Sequence, residues 1–181
     1  MGVQEGAVSA KDAAPYRVMV TGGRIYGTDP THGAEQRTVM LNALRGARAR
    51  ANGRRMVLVH GAASGADAMA ARLTEHSHNA EAEAWPALWR RAEPGLFPHN
   101  TDGPRVGNLP AYYRDEALFV ASHPGRGNYD KRAGFARNEA MLASGVDEVL
   151  AFFAEGAANK GTQGAVNSAR RLRIPVREYR A

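Results

Sequence analysis

The stretch Val57-Leu-Val-His-Gly-Ala-Ala-Ser-Gly-Ala-Asp67 runs from β-forming residues through small side chains into the helix-forming sequence Ala68-Met-Ala-Ala-Arg-Leu-Thr-Glu75. A strand that ends this way and resumes as a helix leaves its turn uncovered. A ligand there can approach the backbone and meet the first free N–H groups and the positive dipole end of the helix. The favoured guest is an anion such as phosphate. Neither GxGxxG nor GxxxxGK[ST] is present. The stretch gains weight by repetition. The same build follows Tyr16-Arg-Val-Met-Val-Thr21, at Gly22-Gly23-Arg24, and follows Asp147-Glu-Val-Leu-Ala-Phe-Phe153, at Ala154-Glu-Gly-Ala-Ala-Asn-Lys160-Gly161-Thr162.

Strand and helix signals alternate along the chain. The apolar stripe Val39, Leu41, Ala43, Leu44, Ala47 predicts a helix over 35–51, closed by Asn52-Gly53. Strands are predicted over 16–21, 56–60, 80–85 and 147–153, with a last edge strand starting at Ile174-Pro175-Val176. Further helices are expected from the organising loop to about 75, over 133–142, and over 163–172. Such alternation calls for an α/β fold with a mostly parallel sheet covered on both faces. The loops after its strands open on one edge, where ligands bind. Loops after residues 21, 60 and 153 should therefore converge.

Residues 1–15, Gly/Ala/Ser-rich and ending at Pro15, read as a flexible leader. The remainder, 16–181, is the length of a single domain. Within it, about 86–130 is broken by prolines and glycines and is too long for a plain connection. It reads as an insertion, either a lid or an oligomer arm, with 112–121 as a helix or short strand inside it. The chain has no cysteine, which excludes disulfides, thiol nucleophiles and cysteine–zinc sites and suits a reducing cytoplasm. No membrane span or signal peptide is expected.

The formal net charge is +6 and the pI about 10.1. Arg45, Arg48, Arg50, Arg54 and Arg55 cluster in one region and Arg170, Arg171, Arg173, Arg177 and Arg180 in another. A basic surface favours polyanions, yet arginine is also a good helix former on solvated faces, and no aromatics interleave as a stacking platform requires.

Several residues carry candidate chemistry, each beside a plainer role. Gly22, Gly23 and Arg24 make an uncovered turn with a forked cation for phosphate; a tight turn with a solvated arginine fits equally. Ser64 and Asp67 suit ribose or base, but Ser64-Gly-Ala-Asp67 also has capping-box spacing, with Ser64 at the cap. Arg137 and Asn138, near the start of an apolar helix and flanked by Ala133-Gly134, suggest phosphate and ribose contacts. Lys160, Gly161 and Thr162 form a second anion nest at a helix start, with Thr162 as a plain N-cap the rival. The six histidines show no metal spacing, and only His60 lies beside a candidate loop. No metal or cofactor is expected, and no GxSxG or catalytic triad is recognisable.

Four pieces in order, Gly22-Gly23-Arg24-x-Tyr26, Val59-His-Gly61-x-x-x-Gly65-Ala-Asp67, Ala133-Gly-x-x-Arg137-Asn138-x-x-Met141-Leu142 and Phe153…Lys160-Gly161-Thr162, resemble the YspA-type (YpsA-related) branch of the SLOG superfamily. That superfamily includes the DNA-processing protein DprA and the cytokinin-activating phosphoribohydrolases. The resemblance covers about 16–85 and 131–179. It implies a Rossmann-like three-layer sandwich, a nucleotide-derived ligand at the carboxyl edge of the sheet, and ligand-facing positions at Gly22, Gly23, Arg24, Gly61, Gly65, Asp67, Arg137, Asn138, Gly161 and Thr162; Tyr26, Ser64 and Lys160 complete the expected ligand-binding set. It also implies a homodimer or higher homo-oligomer. The phosphoribohydrolases carry Pro-Gly-Gly-x-Gly-Thr-x-x-Glu. Here Ala165 stands in place of that Glu, so the expected carboxylate is missing. The leading expectation is thus a cytoplasmic protein that senses or sequesters a nucleotide-derived molecule. An N-glycosidase or phosphoribohydrolase with a displaced carboxylate is the second, and a single-stranded nucleic-acid binder the third.

Overall fold

The computed structural model describes residues 13–28, 30–87, 120–123, 127–130 and 132–181. The chain runs β1 (Tyr16–Gly22), α1 (Gly33–Ala51), β2 (Met56–His60), α2 (Ala66–Glu75) and β3 (Ala80–Ala84). It continues through β4 (Val120–His123), β5 (Gly127–Asp130), α3 (Ala133–Ala143), β6 (Glu148–Phe153), α4 (Lys160–Arg171) and β7 (Val176–Arg180). Five strands form one parallel sheet in the order β3-β2-β1-β6-β7, and β4 and β5 make a separate antiparallel pair. This is a Rossmann-like α/β sandwich of three layers.

The strand sequences explain why both faces are covered. In β1, Val18 and Val20 point into one cluster with Met40, Leu44, Met69 and Phe152, while Met19 points into the other with Val57, Met141 and Val149. β2 divides likewise, with Met56 and Leu58 on the first face and Val57 and Val59 on the second. Successive side chains of a strand alternate in direction, so an uninterrupted apolar run needs two apolar surfaces to receive it. Helices α1 and α2 supply one surface and α3 and α4 the other. Each fully buried Val, Leu or Met contributes about 1.5–3 kcal/mol.

β1 is central, and the connections that follow it and its neighbour β6 go to opposite faces of the sheet. Gly22 of β1 is level with Phe152 of β6. From there α1 packs on one face and α4 on the other, so the two connections part and leave a crevice between the carboxyl ends of β1 and β6.

Charged side chains tie neighbouring elements of the sheet together. Glu148, 1% exposed, accepts from Arg50 of α1 at 2.9 Å and Arg177 of β7 at 3.0 Å. Arg17 holds Glu83 through two bonds of 2.9 and 2.8 Å, and Trp85 Nε1 donates to the same carboxylate at 2.7 Å. Arg54, Arg55, Arg170, Arg171 and Arg180 also sit in ion pairs. Much of the arginine excess is therefore spent within the fold.

Several boundaries differ from expectation. Helix α4 begins at Lys160, not at 163, so Lys160, Gly161 and Thr162 form its first turn. The N-cap is Asn159, and Thr162 is buried inside the helix; its capping role is therefore ruled out. The cap of α2 is Gly65, with no side-chain cap bond, so Ser64 does not close a capping box. The expected leader lies outside the described residues as far as residue 12, and the insertion over 88–119 likewise. In α1, Asn52 adopts the left-handed conformation (φ 49°) that ends the helix as expected.

Candidate functional site

Three loops and three helix starts meet at the carboxyl edge of the sheet around a cavity of about 1040 Å³. The first wall is the turn after β1. Gly23 N–H donates to Phe152 O at 3.2 Å, and Gly23 O accepts the N–H groups of Tyr26 (3.1 Å) and Ala66 (3.2 Å). The turn thus lies directly on the start of α2. A Cβ on Gly22 would overlap Ala66 Cβ and lie 2.9 Å from Phe152 O.

The second wall is the loop after β2. Gly65 has φ 76° and ψ −123°, a conformation open to glycine alone, and a Cβ there would overlap Gly23 O and stand 2.5 Å from the Arg24 carbonyl carbon. Asp67, 5% exposed, reaches back from α2 to accept the N–H groups of Gly61 (3.0 Å) and Ala63 (3.2 Å). His60 Nδ1 accepts the N–H of Ala62 at 3.2 Å, and Ala62 itself has φ 54°. The amides of Gly61, Ala62 and Ala63 are thus already paired with side chains of the protein. These three amides are held within the protein, so any anion at this loop would meet the amides that follow them, at the start of α2.

Arg137 of α3 fastens the same loop. Its Nη1 donates to Gly61 O and, at 3.1 Å, to Trp85 O, while Nε donates to Asn138 Oδ1 at 2.8 Å. A side chain at Gly61 would occupy the space of this guanidinium. Burial pushes the Asp67 carboxyl up from its ordinary value, against the pull of Arg137 and the two loop amides. Burial, with Arg137 adding to it, lowers His60 to about 4, so the ring is neutral and its Nδ1 free to accept.

The third wall is the segment between β6 and α4. Asn159 Nδ2 donates to Ala154 O (2.9 Å) and Ala157 O (3.1 Å), which folds the segment onto itself. Asn159 Oδ1 is buried without a donor among the described residues and faces Gly23 across a close approach. The first helical bond of α4 runs from Gln163 N–H to Asn159 O at 2.9 Å. The amides of Lys160, Gly161 and Thr162 precede it and belong to the unpaired end of the helix.

Gly22, Gly23, Arg24, Gly61, Ser64, Asp67, Arg137, Asn138, Lys160, Gly161 and Thr162 all line the cavity. Two expected ligand-facing residues do not. Tyr26 is 0% exposed and packs in the core against Phe152 (ring centroids 5.3 Å apart), with burial pushing its hydroxyl up to about 12. It turns inward because it follows the tight turn closed by its own N–H on Gly23 O. Gly65 lies beneath Gly23 and Arg24, where it sets the spacing of two walls. His60 is buried behind the loop.

Some wall residues escaped the sequence reading. Asn159 directly precedes Lys160, and Asn before a helix is a cap signal in its own right. Ile25, Phe135, Pro86 and Ala87 also line the cavity. Phe135 at the start of a helix had only its position beside Gly134 to mark it.

The wall carries Arg24, Arg137 and Lys160 against the single carboxylate of Asp67 among its described residues. Among those residues no group of His, Asp and Glu is arranged to hold a metal ion, and no helix is long and apolar enough to cross a membrane. No protein-family model, curated protein or solved structure matches this chain.

Proposed function

We propose that the protein binds a nucleotide or nucleotide-derived molecule in this cavity, as a sensor or sequestering protein. The observation that carries the reading is convergence. The ends of β1, β2 and β6 and the unpaired N-terminus of α4 face one space of about 1040 Å³, with a net excess of cations on its wall. Pockets for molecules of nucleotide size are of this order. We place the anion at the unpaired start of α4, at Lys160, Gly161 and Thr162.

Hydrolysis of a glycosidic bond asks for a carboxylate within reach of the sugar. Ala165, in the place of the phosphoribohydrolase Glu, is buried in the second core cluster. Asp67 lines the space but is committed to two amides. Both features favour binding over turnover. The paired arginines count against a general nucleic-acid surface.

The test is mass spectrometry of small molecules released from the purified protein, followed by calorimetric titration with nucleoside 5′-monophosphates. A captive or titrated nucleotide recovered unchanged supports the proposal. Release of free base supports the enzyme instead. A mobility shift of single-stranded DNA with a steep salt dependence supports the nucleic-acid reading.

A further inference from the structure

Three large apolar side chains are strongly exposed among the described residues, Ile25 (50%), Phe135 (49%) and Leu172 (54%), and both Ile25 and Phe135 lie on the cavity wall. Apolar side chains left open to water on the wall of one cavity mark a surface meant to be covered. Phe135 is also seated. Its ring edge rests on Gly164 of α4, where an added Cβ would come within 3.0 Å of Cε1 and 3.4 Å of Cδ1. The absent side chain at Gly164 leaves room for the ring in this position.

Gly164 follows Lys160 by four residues and Gly161 by three, so it lies on the same helix face one turn further along, about 5.4 Å. The ring therefore sits one helical turn from the cation and the unpaired amides at the start of α4. In a nucleoside phosphate a ribose separates anion from base over a comparable span. We propose that Phe135, with Ile25 as a second apolar wall, is the base subsite of this cavity, and that the ligand carries a planar aromatic base. The inference rests on the proposed nucleotide reading and narrows it: sugar phosphates and inorganic polyphosphates lack the group that Phe135 would cover.

Stacking of a base on an aromatic side chain is worth about 5- to 150-fold in affinity. Titration of the full chain with 5′-AMP, ribose 5-phosphate and adenosine reads it directly. The expected result is a preference for 5′-AMP over ribose 5-phosphate of that order. Phe135→Ala abolishes most of this preference, leaves ribose 5-phosphate binding within about twofold, and keeps the melting temperature, since the ring is half exposed. Phe135→Trp restores it. Equal affinity of the wild type for 5′-AMP and ribose 5-phosphate overturns the base subsite and leaves the anion site standing. So does a parallel loss of both ligands in Phe135→Ala. Adenosine bound with no binding of ribose 5-phosphate supports the base subsite and removes the anion site. A wild type that binds none of the three removes both.

Discussion

Arg137→Ala separates a ligand arm from a strut. The guanidinium spans the Gly61 and Trp85 carbonyls and Asn138 Oδ1, and it is the leading positive influence on the buried Asp67 carboxylate. A hydrogen bond from a charged donor is worth about 1.5–3 kcal/mol, and the substitution removes those to the Gly61 and Trp85 carbonyls. The expected loss is therefore about 3–5 kcal/mol, a large part of the 5–15 kcal/mol typical of a domain. At about 2–4 °C per kcal/mol for a chain of this size, the melting temperature falls by about 6–20 °C. Urea denaturation should show a lower midpoint at unchanged slope. The deficit should shrink on acidification. Without Arg137 the Asp67 pKa rises further in the folded state, so stability is kept below the ordinary carboxylate value near 4 and lost as pH rises above it. Loss of the same charge also relieves His60, whose depression it deepens. Arg137→Lys keeps a charge but not the fork, and should recover only part of the loss. A variant that melts within about 2 °C of wild type, the shift that a loss of only about 1 kcal/mol would cause, would refute the strut and return Arg137 to the ligand.

Gly65→Ala should destabilise by about 2–6 kcal/mol, from a forbidden backbone conformation plus overlap with the β1 turn, as read by urea midpoint; an unchanged midpoint refutes the interlock. Gly161→Ala is its control, since an added Cβ meets nothing within 4 Å, and should leave the midpoint within about 0.5 kcal/mol of wild type. Lys160→Ala, at an exposed position, should weaken nucleotide binding by calorimetry about tenfold or more while leaving the melting temperature unchanged; equal affinity sinks the anion assignment. His60, depressed to about 4 from 6.5, gives stability that is complete above pH 6.5 and lost as pH falls toward 4, by about 3 kcal/mol in all. Its imidazole resonances should therefore hold still from pH 8 to 5, and a midpoint near 6.5 would show the ring to be solvated.

The sheet was legible because its signals are local. Continuous apolar runs at Val18–Val20 and Met56–Val59 need two covered faces, and the small-residue loops after them need an open edge. Convergence of those loops follows from topology and holds. What the sequence hides is which polar groups are already engaged. Nothing in Gly-Ala-Ala-Ser-Gly shows that Asp67 folds back on the Gly61 and Ala63 amides, and nothing near Arg137 shows that the Gly61 and Trp85 carbonyls, distant in sequence, lie against it. Tyr26 shares the same limit, because a tight turn sends the next side chain inward or outward and residue type does not decide which.

Gly65 under Gly23 and Arg24, and Ala66 bonded to Gly23 O, join the β1 turn to the β2 loop as a single casting. Two sides of the hollow therefore move together or not at all. Among the described residues, the stretch from Ala154 to Lys160 is the side most open to adjustment, with exposed Gly156 at φ 68° and its main chain held by the Asn159 side chain and by the Glu155 N–H on Ala181 O. Adaptation to guests of different size would be concentrated there, and hydrogen exchange would register occupancy at this stretch while the opposite rim stays silent.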